Sequence, residues 1–187
     1  MPIYISARDL AGLPIGTHQF IIIEFQSNSY PPAKLGDKTI QPKMLGNGNV
    51  GYVIGAQNRG NLQVEFFEKS DYQATLEYFD RKRLSFFKSD FDTEARIVNF
   101  QKIGEQNAIR EILRLVDTYH INQTIDKIKY PTAGLGYNSN SWAQTVIELA
   151  GGKIDSDMSG WDVSNGKRIP KTYFVPVCPA EPRPELN

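Results

Sequence analysis

The residues whose types and spacing could do chemistry gather at Tyr137-Asn138-Ser139-Asn140-Ser141-Trp142, two hydroxyls and two carboxamides where a loop runs into an apolar, helix-spaced stretch ending at Ala150-Gly151-Gly152. A helix start aims backbone N–H groups and partial positive charge at what lies before it, which suits a developing oxyanion. A hydroxyl nucleophile also needs a base within hydrogen-bond reach and a group that orients the base. With Ser139 as nucleophile, the candidate base is His18, at the head of the run Thr17–Phe25. The orienting group would come from a strand beside it, with Gln57, Asn58, Gln63 and Glu65 as candidates. Capping competes with catalysis here, because Asn and Ser are preferred helix caps. Two features favour chemistry. Four polar residues exceed what one helix end uses, and His18 opens an apolar strand with no evident polar partner.

Stepping outward, the β-branched centre of Thr17–Phe25 predicts a buried strand. Residues 50–56 and 62–67, joined by a polar linker holding Gly60, predict a β-hairpin, with Gly51 and Gly55 marking bulges or close packing. Ser70-Asp71-Tyr72-Gln73 fits a capping box opening a helix to about Phe79. Residues 83–87 and 95–100 are candidate strands. Ile109, Ile112, Leu113, Val116 and Tyr119 recur at helical spacing and predict a helix over 104–119. His120 then falls at that helix's C-terminal end, where a cation partners the dipole. Residues 1–16 read as a lead-in, 27–49 as a long loop, and the tail from Ile154, with five prolines in the last eighteen residues, as extended chain.

The bulk numbers bound the options. The 187 residues suit a single domain over 1–187, with 175–187 a Pro-rich tail, and 40% hydrophobic residues can supply a core. Lys plus Arg equals Asp plus Glu at 21 each, so the overall charge points to neither nucleic acid nor an anionic surface. The cluster Arg81-Lys82-Arg83 reads as a solvated face. One cysteine, Cys178, and two histidines exclude a disulfide framework and a Cys-based metal cluster, so no metal or cofactor is expected. The start lacks a signal-peptide pattern, and the longest apolar run, 20–23, is too short to span a bilayer. The expectation is a soluble chain without a transmembrane segment, cytoplasmic in its producer or exported by a dedicated secretion system.

Histidine on an early strand, a hairpin, then Asn138-Ser139-Asn140-Ser141-Trp142 opening a late helix resembles the circularly permuted papain-like (NlpC/P60-related) hydrolases. Their motif typically reads Asn-Cys-Asn-Ser-Phe. The resemblance puts Ser139 at the cysteine position, flanked by Asn138, Asn140, Ser141 and Trp142, with His18 as the histidine. With Gly160-Trp161-Asp162 and the Ile169-Pro170 to Tyr173-Phe174 segment, the chain also looks like C-terminal domains of bacterial polymorphic toxins and type VI secretion effectors. It implies an α+β fold, an antiparallel sheet packed on helices in the permuted papain-like manner. The implied activity is hydrolysis of an amide or ester bond in the cell envelope, in peptidoglycan peptides or lipid, through an acyl-enzyme. A cognate immunity protein would be the partner. Serine in place of cysteine implies a serine variant, a replaced thiol or an inactive binding domain, and an acyltransferase is a further alternative.

Overall fold

The computed structural model describes residues 1–10, 16–26, 30–80, 93–100, 102–131, 135–154, 158, 164 and 166–177. Its centre is the predicted strand. Every residue of β2 (Thr17–Phe25) is buried, because helices cover both faces of its sheet. β1 (Ile3–Asp9) flanks it on one side, where the sequence predicted only a lead-in. The segment 27–49 is likewise no plain loop. It holds β3 (Ala33–Leu35) and β4 (Lys38–Ile40), a small two-stranded sheet, and then β5 (Lys43–Met44). Such two- and three-residue strands are too short to write a period into sequence.

The hairpin is present as β6 (Val50–Asn58) and β7 (Leu62–Phe66), with Gln57 and Asn58 inside the strand rather than in the linker. α1 (Lys69–Phe79) follows, then β8 (Thr93–Ile97), which ends three residues before the predicted limit. The main sheet runs β5-β6-β2-β1-β8, with β7 also on β6, and all its pairings are antiparallel. The architecture is α+β. The expected strand over 83–87, the basic triplet 81–83, the motif 160–162 and Cys178 lie outside the described residues.

α2 (Glu105–Ile125) and α3 (Ser139–Leu149) pack on one face, where Ile21, Ile23, Tyr52 and Ile54 meet Ile112, Val116, Trp142 and Val146. α1 covers the other, where Phe20, Ile22 and Val53 meet Ala74. α2 runs six residues past its predicted end, so His120 sits inside the helix and is no C-terminal dipole partner. Polar Asn122 and Gln123 hid the continuation, since both are buried against neighbouring backbone: Asn122 Nδ2 donates to the Tyr173 and Val175 carbonyls, and Gln123 Oε1 accepts from Val64 N–H. Burial lowers the His120 pKa, partly countered by Asp117. The tail also differs from an extended wrap. Lys171–Phe174 forms a 3-10 turn whose Phe174 ring stacks on Tyr119 in the core.

Candidate active site

The site lies where β2 and β6 part. Their ladder stops at Phe20–Gly55, which leaves the Gln19 N–H without a strand partner on that side. The Asn140 carboxamide at the start of α3 supplies the missing acceptor, Oδ1 standing 2.9 Å from Gln19 N. Gln144, one turn on, donates to Gln19 Oε1 at 2.9 Å. The first turn of α3 is thereby fixed against the residue next to His18.

The four polar residues there divide their work. Asn138 is the cap: its Oδ1 accepts from Ser141 N at 3.0 Å, and Asn138 N donates to Ser141 Oγ at 2.7 Å. Ser139 is used by neither arm of this box. Its hydroxyl donates to Asn140 Oδ1 at 3.2 Å, and its own N–H makes no hydrogen bond among the described residues. That N–H is the candidate oxyanion donor.

His18 stands on the α1 face of β2, in line with Phe20 and Ile22. Its Nε2 is 3.1 Å from Asp71 Oδ2 and 3.1 Å from Gln57 Nε2, and Gln57 Nε2 donates to the same Asp71 oxygen at 2.6 Å. Of the four predicted orienting candidates, the structure brings only Gln57 to His18. Asn58 is exposed and accepts from Gly60 N in the hairpin turn. Glu65 pairs with Arg59 at the surface. Gln63 lies across from Gln57 on β7. Among the described residues none of these three bonds to His18.

Asp71, the carboxylate on His18, escaped the sequence reading. The predicted capping box made Ser70 the cap and gave Asp71 no role of its own. The cap is Glu68, whose carboxylate accepts from Ser70 N and Asp71 N at 2.7 and 3.2 Å. Moving the start back two residues turns Asp71 inward, to 0% exposure. One signal for it was in the sequence: Gly55. A Cβ there would stand 2.5 Å from Asp71 Oδ2 and 3.0 Å from Gln57 Nε2, so the glycine is the space into which the carboxylate fits. Gly55→Ala is expected to displace Asp71 and lower stability by about 1–3 kcal/mol, read from denaturant midpoints. An unchanged midpoint would show that the carboxylate can move aside freely.

Burial raises the Asp71 pKa, but His18 and Arg8 outweigh it and hold the carboxyl below the usual range. Arg8 Nε donates to Oδ1 at 2.8 Å, so both carboxylate oxygens are engaged. With Asp71 ionised, the favourable contact to the ring is a charge-assisted N–H from His18 Nε2. A lone pair there would face the anion at 3.1 Å, a repulsion that outweighs the single neutral hydrogen bond it could accept from Gln57 Nε2, also 3.1 Å away and already donating to Asp71. Nε2 carrying the proton leaves Nδ1 as the basic nitrogen, and Nδ1 makes no hydrogen bond among the described residues. His18 and Asp71 thus form an oriented base. Neither ring nitrogen is bonded to Ser139, and no group of His, Cys, Asp and Glu among the described residues could hold a metal ion.

Comparison with protein-family models, with curated proteins and with solved structures returned no match to this chain.

Proposed function

We propose that the chain is a hydrolase of amide or ester bonds, with Ser139 as nucleophile, His18 as base and Asp71 as the group orienting the base. The observation that carries this reading is the buried His18–Asp71 pair, fixed by Arg8 and Gln57 on the α1 face of β2 beside the strand end where α3 docks from the other face, so the reaction requires the imidazole to reach Ser139 through the parting of β2 and β6. A buried imidazole on an ionised, arginine-paired carboxylate is the arrangement that orients a base, and structural ion-pair networks share it. In the proposed reaction, His18 Nδ1 takes the Ser139 proton as Oγ attacks the carbonyl, and the N–H of Ser139 stabilises the oxyanion. The proton then passes to the leaving amine or alcohol, and water attacks the acyl-enzyme by the reverse path. In the permuted papain-like context the substrate would be an envelope peptide or lipid, and the chain an exported effector with an immunity partner.

The second reading is a binding module, favoured by the Ser139 hydroxyl being bonded to Asn140 rather than to His18. Expressing the wild type, Ser139→Ala and His18→Ala in periplasm and cytoplasm separates the two. A hydrolase predicts growth arrest and altered envelope products with the wild type, and loss of both in either variant. Equal outcomes for all three would leave the binding module standing.

A further inference from the structure

Nine large hydrophobic residues are exposed among the described residues, and six of them fall on two neighbouring stretches: Ile121 and Ile125 near the end of α2 with Leu135 and Tyr137 after it, and Val175 and Val177 beyond the 3-10 turn. The stretches lie side by side. Asn122 Nδ2 donates to the carbonyls of Tyr173 and Val175 at 2.9 and 2.8 Å, and Tyr173 Oη donates to Asp126 Oδ2 at 2.6 Å. Tyr137 is close enough to help raise the Tyr173 hydroxyl to a pKa of about 12, behind burial and Asp126. Tyr137 is two residues from Ser139, so the apolar surface leads to the loop of the proposed nucleophile.

The charges along these stretches lean positive, while beside Ile121 the β3–β4 turn adds the balanced pair Asp37 and Lys38. Residues 121–129, 135–137 and 166–177 contain one acid, Asp126, against Lys127, Lys129, Lys167, Arg168 and Lys171. Asp126 is engaged by Tyr173, and Arg168 is paired with Glu148 at 2.7 Å. The four lysines are exposed, and none is in an ion pair among the described residues. In a chain of zero formal charge this is a local excess of exposed cations along stretches that also carry aliphatic tips and two tyrosines.

We propose that the end of α2 and the segment 171–177 form a surface that docks on an anionic lipid bilayer, which, resting on the hydrolase reading, makes a membrane lipid the substrate presented to Ser139. A protein partner fits less well, because protein interfaces are depleted of lysine. Aliphatic residues entering the headgroup boundary with lysines at its rim are the chemistry of an interfacial membrane contact. Tyrosine suits the same depth, its ring in the apolar layer and its hydroxyl in the wet one. No helix among the described residues is long and apolar enough to cross a membrane, so the contact would be peripheral.

The test is co-sedimentation of the full chain with vesicles of phosphatidylcholine alone and of phosphatidylcholine containing phosphatidylglycerol. The wild type should sediment with the second and not the first, and about 0.5 M salt should release most of it. The double variants Ile125→Glu/Val175→Glu and Lys127→Glu/Lys129→Glu should each weaken binding roughly tenfold or more. Both replace exposed residues, and unchanged far-ultraviolet dichroism checks that they fold. Ser139→Ala should bind as the wild type does, whereas a wild type that docks but releases no acyl product from the vesicle lipids would leave this surface standing while the hydrolase reading fell. A wild type that stays in the supernatant with the anionic vesicles, or double variants that bind undiminished, would overturn the proposal. So would self-association abolished by Ile125→Glu/Val175→Glu in the absence of vesicle binding, which would assign the surface to a second copy of the chain.

Discussion

Asp71→Asn is expected to lower turnover by about 10⁴-fold while leaving the hydroxyl and the imidazole in place. The reason is the tautomer. The ionised carboxylate accepts an N–H from His18 Nε2 and so keeps the lone pair on Nδ1. An asparagine amide can donate to Nε2 instead, moving the ring proton to Nδ1, where it can no longer receive one from Ser139. The same change strips the Arg8 guanidinium, itself buried, of its nearer anionic partner at 2.8 Å and leaves it only the more distant Glu68 carboxylate at 3.9 Å. Breaking a buried pair by removing one member costs about 3–5 kcal/mol when the charge is left uncompensated, and the remaining Glu68 places this change toward the lower end. Arg8→Met/Asp71→Asn, which removes both charges, should recover part of the stability and none of the turnover. Equal turnover for Asp71→Asn and the wild type would remove Asp71 from the mechanism.

The acid limb of the stability profile carries the same signature. The Asp71 pKa lies below its ordinary value in the folded chain, because His18 and Arg8 outweigh the effect of burial. Such a carboxyl binds a proton more readily when unfolded. It therefore contributes its full stabilisation above the unfolded value of about 3.9, and loses it as pH falls through the lower folded value. Acidification below about pH 4 should destabilise the wild type more steeply than Asp71→Asn, with the two curves parallel above about pH 5. Denaturant midpoints along a pH series read this directly. Parallel curves throughout would show an Asp71 whose pKa is unchanged by folding.

What was legible in the sequence follows from how locally each feature is encoded. Thr17–Phe25 is a strand because β-branched residues fill its centre, and the β6–β7 hairpin because one face alternates around a turn. Both signals are local in the chain. The start of α1 turned on a competition between two caps, and Glu68, a less favoured type, prevailed over Ser70. With it went Asp71, whose role depends on Arg8 from β1, a strand the sequence reading lacked. Gln57 was within reach because strand neighbours share a register, whereas an acid arriving from a helix on the opposite face has no such rule. Asn140 presents the same difficulty: its tie to Gln19 spans 121 positions and exists only because β6 has left β2 by then. Hydrogen bonds at the parting of two strands are set by topology, and no local pattern encodes them.

Trp142 sets how firmly Ser139 is held, and two substitutions there should behave differently. Trp142 is fully buried on the second turn of α3, edge-on to Tyr119 with ring centres 6.1 Å apart, in the cluster that joins both helices to the sheet. Trp142→Ala removes the largest buried side chain of α3 and should cost about 3–5 kcal/mol. Turnover should fall with it, because the turn carrying Ser139 loses its anchor. Trp142→Phe also leaves a cavity, but with an offset. The indole Nε1–H is buried without a partner among the described residues, and an unsatisfied donor of this kind costs about 1–3 kcal/mol that phenylalanine does not incur. The net loss for Trp142→Phe should thus stay below about 1.5 kcal/mol, with Ser139 still in position and turnover near wild type. Urea titrations of the three proteins, with assays in the native range, provide the comparison. If Trp142→Phe proved as costly as Trp142→Ala, the indole N–H would have to be satisfied in solution by a buried water, and the first turn of α3 would owe its position to that hydrogen bond as well as to packing.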